Sequence, residues 1–273
     1  PYDHIGWRRL AMGPQKETDD RIKEFLRIGV DIASGVLNGA VSFLAPGPWE
    51  AAALGATVTL ARELLRKLAD DISTRILGPR EKARLAGALA VAAAAIDART
   101  KQGESIRADG FFEKRPGERS DAEELIESVL LKAQREPQEK KIPYMGYLLA
   151  NIAFDSGVSP AMAHQLVKVA EQLTYRQLCL LKLSAIKSSI PLRNADYRNQ
   201  GSFSRELYPV LYECLDLYNR GLVHFGGEVA FGPSDVIPAQ MTPQGLGVDL
   251  YNLMSLDRIQ ETDLLPIVEV LKQ

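Results

Sequence analysis

Apolar residues return at every third or fourth position along most of the chain, the period that places them on one face of an α-helix. The pattern predicts a charged helical lead-in from Gln15, where Thr18 or Asp19 can cap and Ile22, Phe25 and Leu26 share a side. This lead-in runs into an apolar, small-residue stretch, Ile28 to Leu65, interrupted at Ala45-Pro46-Gly47-Pro48. Prolines on both sides of a glycine cannot continue a helix, so the stretch reads as a hairpin of two helical arms. Gly35 and Gly39 in the first arm, and Ala51 and Gly55 in the second, are four residues apart. Small residues at that spacing let two backbones approach closely, which makes these four positions the expected helix–helix contact.

A fresh helix starts at Pro79, with Leu85, Leu89, Ala92, Ala93 and Ile96 on a narrow face whose alanine run favours close packing against the hairpin. Residues 103–120 break the periodicity with three glycines and a proline and read as a long surface loop. Ser120 and Glu123 form a capping box for a helix bearing Leu125, Val129 and Ala133, which Pro137 stops. Helices follow over Tyr144 to Phe154, from Ser159-Pro160, and behind a Thr174 cap. After about Ser188 the character changes. Leu207 to Tyr218 predicts a helix closed by Gly221, then a strand at Leu222 to Phe225, a turn at Gly226-Gly227 and a return strand at Val229 to Phe231. Thr242-Pro243 then opens a helix with Leu246, Leu250, Leu253 and Met254. The expected fold is mainly α: a helical-bundle domain over 15–188, with the small-residue hairpin at its N-terminal end, and a winged-helix-like α+β portion over 189–273.

Composition narrows the function. The formal net charge of −2, from 33 basic and 35 acidic residues, supplies no global attraction to nucleic acid or to an anionic membrane. Cys179 and Cys214 both lie in apolar-periodic segments, which reads as two buried free thiols in a reducing cytoplasm. Residues 28–45 approach the length of a membrane span. Their eight large apolar residues each favour insertion by about 0.3–0.6 kcal/mol, while Asp31 opposes it by about 2.5–3.5 kcal/mol. The sum lies near zero, which favours a buried helix and leaves conditional membrane contact open.

The candidate chemistry is sparse. His4, His164 and His224 are far apart, no CxxC pair is present, and neither GxSxG nor GxxxxGK[ST] occurs, so no metal, cofactor or catalytic residue is assigned. Glu123, Glu124 and Glu127 read as a solvated helix face. The most distinctive polar cluster is Arg107, Asp109, Lys114, Arg115, Arg119 and Asp121, threaded around Phe111 and Phe112. Arginines offer bidentate geometry and the phenylalanines an anchor, so Arg107, Asp109, Phe111, Phe112, Arg115 and Arg119 form the candidate site for an acidic ligand or a protein partner. The alternative is a loop pinned by its own ion pairs. The expected wing, Gly221 to Pro238, carries Glu228 and Asp235 without a lysine or arginine, which argues against phosphate contact and DNA readout.

Tyr147-Leu148-Leu149-Ala150-Asn151-Ile152, the helix Ala163 to Leu173, and Thr174-Tyr175-Arg176-Gln177-Leu178 resemble the abortive-infection alpha family of bacterial proteins. Gly221-Leu222-Val223 and Met241-Thr242-Pro243-Gln244-Gly245 look like that family's closing segment. The resemblance covers Ile28 to Met254 in order of elements and implies a role in phage defence without implying a known reaction. The expectation is a non-enzymatic cytoplasmic interaction protein acting through a protein partner, a homo-oligomer or conditional membrane contact. A winged-helix transcription regulator and an enzyme with an unrecognised site stand as the alternatives.

Overall fold

The structure, a computed structural model, describes Ala61, residues 63–67, Asp71, and residues 77–114, 116–199 and 201–273. Gly35, Gly39, Ala51 and Gly55, the turn at 45–48, and Arg115 lie outside the described residues. Ala61, residues 63–67 and Asp71 are helical, as the periodicity of the second arm requires. The fold is mainly helical with one small two-stranded antiparallel sheet. No helix among the described residues is long and apolar enough to cross a membrane. Contacts divide the chain into two compact units, one ending at Val167 and the other spanning Lys168–Gln273.

The first unit is helix packed on helix. Helix α1 (Pro79–Lys101) begins with proline in its first turn, and the Glu81 carboxylate accepts the Gly78 N–H at 2.9 Å. Helix α2 (Asp121–Arg135) opens with the expected box: Ser120 Oγ accepts from Glu123 N and Glu123 Oε2 accepts from Ser120 N, each at 3.2 Å. A 3₁₀ turn at Glu139–Lys141 leads into α3 (Ile142–Ile152), which is buried along nearly its whole surface. The alanine run of α1 packs against α3. A Cβ placed on Gly146 of α3 would lie 2.6 Å from the Ala88 carbonyl oxygen and 2.8 Å from Val91 Cβ. Only glycine allows so close an approach, the role that the sequence assigned to other glycines. At the α2–α3 junction, Lys141 and Glu136 form a fully buried ion pair at 2.5 Å.

The division between units falls inside α4 (Pro160–Gln172), upstream of the change of character at Ser188. The reason is that α5 (Tyr175–Ile186) packs on the elements that follow it: α6 (Leu207–Asn219), β2 (Met241–Pro243), α7 (Leu246–Leu253) and α8 (Glu261–Leu271). Thr174 caps α5 as expected, accepting from Gln177 N at 3.1 Å while Gln177 Oε1 accepts from Thr174 N at 2.9 Å. Gly221 closes α6 with φ of 69°.

The return strand differs from the expectation. Strand β1 (Val223–Phe225) pairs with Met241–Pro243, in the register Val223↔Pro243, His224↔Thr242 and Phe225↔Met241. Gly226 and Gly227 make the anticipated tight turn, with φ of 59° and 98° and a Glu228 N to Phe225 O bond of 2.9 Å, but pairing on that side stops at an isolated bridge to Glu228. Burial explains the choice: the observed register buries both Phe225 and Met241, whereas Val229 and Phe231 stay exposed. Helix α7 accordingly begins at Leu246, after Thr242-Pro243 has been used in the sheet. Its Gly247 lies against β1, where a Cβ would come within 1.9 Å of the Leu222 carbonyl oxygen.

Candidate functional site

The loop singled out in the sequence is built around Arg107. Its guanidinium is buried, with Nε donating to Asp109 Oδ1 at 2.9 Å and Nη2 to Asp109 Oδ2 at 2.5 Å. Nη1 donates to the carbonyls of Asp155 and Val158, both at 2.9 Å, which lie in the turn between α3 and α4. The guanidinium carbon also sits 4.3 Å from the centre of the Phe111 ring. The hydrogen bond from Arg107, reinforced by its charge and the Phe111 N–H, holds the Asp109 carboxyl below its ordinary range against the opposing effect of burial. Phe111 and Phe112 are buried and meet edge to face with centroids 5.3 Å apart. Arg107, Asp109 and Phe111 therefore fasten the loop to the helical core. Arg119 is separate from this clasp and pairs at the surface with Glu127.

Phe112 takes part in a second feature. A cleft of about 540 Å³ opens between residues 63–67 and the loop. Leu64 and Phe112 are buried at its base, and Glu63, Lys67, Glu113 and Lys114 are exposed at its mouth. Glu123 forms one wall, its carboxylate 3.1 Å from Lys114 Nζ and 3.8 Å from Lys67 Nζ. Burial pushes the Glu123 carboxyl upward, but the bond from Lys114, the Ser120 N–H and the charge of Lys67 outweigh it, and the net shift is downward. The group thus stays ionised and faces both ammonium groups, Lys114 more closely than Lys67. Their side chains are 61% and 70% exposed, so each retains capacity for a second acceptor. Chemically the cleft offers an apolar base with two cations and the acids Glu63 and Glu113 around it.

The sequence pattern groups Lys114 with Phe111 and Phe112 and reads Glu123 as a cap on a solvated helix face. It carries no sign that Glu63, Leu64 and Lys67 join that cluster. The local signal was the i,i+4 pair Glu63 and Lys67 beside Leu64, but nothing in the spacing joins it to a loop some fifty residues later.

Elsewhere, Cys179 and Cys214 are buried and form no disulfide, as expected, and burial pushes the Cys214 thiol well above its ordinary value. Among the described residues no group of three or more His, Cys, Asp or Glu side chains is placed to hold a metal ion. No family model, no curated protein and no solved structure matches the chain.

Proposed function

We propose that the chain is a non-enzymatic interaction protein of the abortive-infection type, acting in the bacterial cytoplasm through a protein partner held at the Phe112 cleft. The observation that carries the reading is the cleft's composition: an apolar base at Leu64 and Phe112 beside two largely exposed lysines that face the buried Glu123 carboxylate, with Glu63 and Glu113 at the same mouth. An apolar anchor flanked by charged side chains of both signs, to meet Lys67 and Lys114 and the acids Glu63 and Glu113 beside them, is the partner chemistry such a surface fits. The Arg107 clasp supports it from behind by fixing the loop that supplies Phe112. In the second unit, the order α6, β1, β2 and α7 supports a winged-helix-like reading with the β1–β2 connection as the wing. Residues 221–238 contain no lysine or arginine, so this reading favours a protein contact over a nucleic-acid contact.

The test is phage plating on a bacterial host. Expression of the chain is expected to lower plaque numbers relative to empty vector. The double variant Lys67→Glu/Lys114→Glu, at equal soluble expression, should restore them. Full protection by that variant would refute a partner-binding cleft, and equal plaque numbers with chain and vector would refute the defence role.

A further inference from the structure

Two lysines of the second unit donate only to uncharged groups, and the difference between those groups sets their chemistry. Lys182 is buried, and both of its acceptors, Asp257 O at 2.8 Å and Ile259 O at 2.6 Å, are carbonyls. A carbonyl only accepts, so that setting is satisfied by a charged ammonium group alone. Lys187 is half-buried in the 3₁₀ turn Lys187–Ser189 that follows α5, and its Nζ donates to Gln240 O at 3.1 Å and to Thr242 Oγ1. A hydroxyl donates as well as accepts. The Thr242 hydroxyl, which donates to Gln240 O at 3.1 Å, has only to rotate to donate to Nζ once the amine has released a proton. This setting therefore accommodates the free base, the nucleophilic form of lysine. An anionic neighbour would oppose that form. Lys67, Lys114 and Lys141 each have one, whereas no carboxylate among the described residues pairs with Lys187, and burial is what lowers its pKa.

The register of the sheet places a second group beside this amine. His224 stands opposite Thr242, with Val223, Phe225 and Met241 buried on the other face, so the His224 ring and the Thr242 side chain share the outer face. His224 Nδ1 accepts from Gly226 N at 3.2 Å, which leaves the neutral ring its proton on Nε2. The outer face thus joins a nucleophilic amine to two groups that donate to oxygen, the Thr242 hydroxyl and His224 Nε2–H. We propose that Lys187 is an acylation site whose donor is an acyl phosphate, with His224 Nε2–H donating to the phosphate oxygens. The Nζ lone pair attacks the acyl carbon, the bond from that carbon to the phosphate oxygen breaks, phosphate leaves with the electron pair, and the proton lost from nitrogen passes to solvent. The product amide is uncharged and keeps a single N–H, so it serves one of the two acceptors that the ammonium group serves. Acylation thereby loosens the turn after α5 from β2. The site lies within the second unit and stands independently of the Phe112 cleft.

Acetyl phosphate is the probe that tests the proposal. The full chain is treated at neutral pH to a low extent of reaction, and peptide mass spectrometry reads the acetylation rate at each lysine in the native state and in urea. The ratio of native to unfolded rate should exceed unity at Lys187 and fall below unity at Lys182, whose amine is buried. His224→Ala should lower the Lys187 ratio severalfold with acetyl phosphate and leave it unchanged with acetic anhydride, which carries no phosphate for the ring to meet. Circular dichroism melts verify that the variant is folded. A ratio at or below unity at Lys187 with both reagents overturns the proposal outright. A ratio above unity with acetic anhydride alone, or an acetyl phosphate rate indifferent to His224→Ala, overturns it in favour of a reactive amine with no site for the phosphate.

Discussion

The first unit joins its helices mainly through apolar faces, whereas the second is fastened by polar side chains that reach backbone carbonyls. In the first unit α1 and α3 meet along an alanine run, with Gly146 set against Ala88 and Val91. In the second, Lys182 Nζ donates to the carbonyls of Asp257 and Ile259 at 2.8 and 2.6 Å. Lys187 Nζ donates to Gln240 O at 3.1 Å and to Thr242 Oγ1, and burial lowers the pKa of this amine. Tyr197, whose phenol burial pushes up to about 12, donates to Leu271 O at 3.0 Å. Helices satisfy their own carbonyls and short irregular segments do not, so a unit built from three-residue strands and 3₁₀ turns must supply donors from side chains. The first unit obeys the same rule where it leaves helix, since Arg107 serves the carbonyls of the α3–α4 turn.

The largest effect that would sharpen this contrast is Lys182→Met. Two carbonyls lose their donor, each at a cost of about 1–3 kcal/mol, and a stability loss on the order of 3 kcal/mol is expected in urea unfolding. A loss too small to measure would show that the second unit's turns do not depend on the amine. Gly146→Ala tests the other side: the added Cβ collides with backbone at Ala88, so about 1–3 kcal/mol should be lost through forced separation of α1 and α3. Unchanged stability would mean that the helix pair is loosely packed and the contrast overstated. Thr174→Ala removes the hydroxyl cap of α5 and should cost about 1 kcal/mol, with Thr174→Ser recovering most of it.

The smallest effect concerns pH. Arg107 lowers the Asp109 carboxyl pKa in the folded chain, so its contribution to stability is complete above the ordinary aspartate range and disappears as the pH falls through the depressed value. Stability measured across that acid range should fall less steeply for Asp109→Asn than for the parent. An identical slope would show that the Arg107 clasp holds through its carbonyl bonds alone.

The same contrast explains what could be read from the sequence. Helices with a 3.6-residue apolar period and a chemical start signal, such as Pro79, Ser120 and Thr174, were legible because both signals are local. Strand β2 was not: Met241–Pro243 is three residues long, contains a proline, and is selected by burying Met241 against β1 rather than by any alternation of its own. The Gly226-Gly227 turn was legible as a turn, but whether its outgoing strand continues depends on tertiary burial. The Arg107 cluster was visible as residues, yet the choice between ligand binding and a structural clasp depended on Asp155 and Val158, whose carbonyls have no sequence signature. Half of the cleft was invisible for a related reason, since Leu64 and Lys67 join Phe112 and Lys114 only through helix packing.

The placement of the cysteines has a practical consequence. The chain has two, Cys179 and Cys214, and both are buried in the second unit. Alkylation requires an accessible thiolate, and burial disfavours that form at Cys214. A thiol-reactive dye is therefore a clock for opening of the second unit, running only while that unit is breached. Because the first unit contributes no thiol of its own, the native sequence already provides a reporter that times the second unit alone.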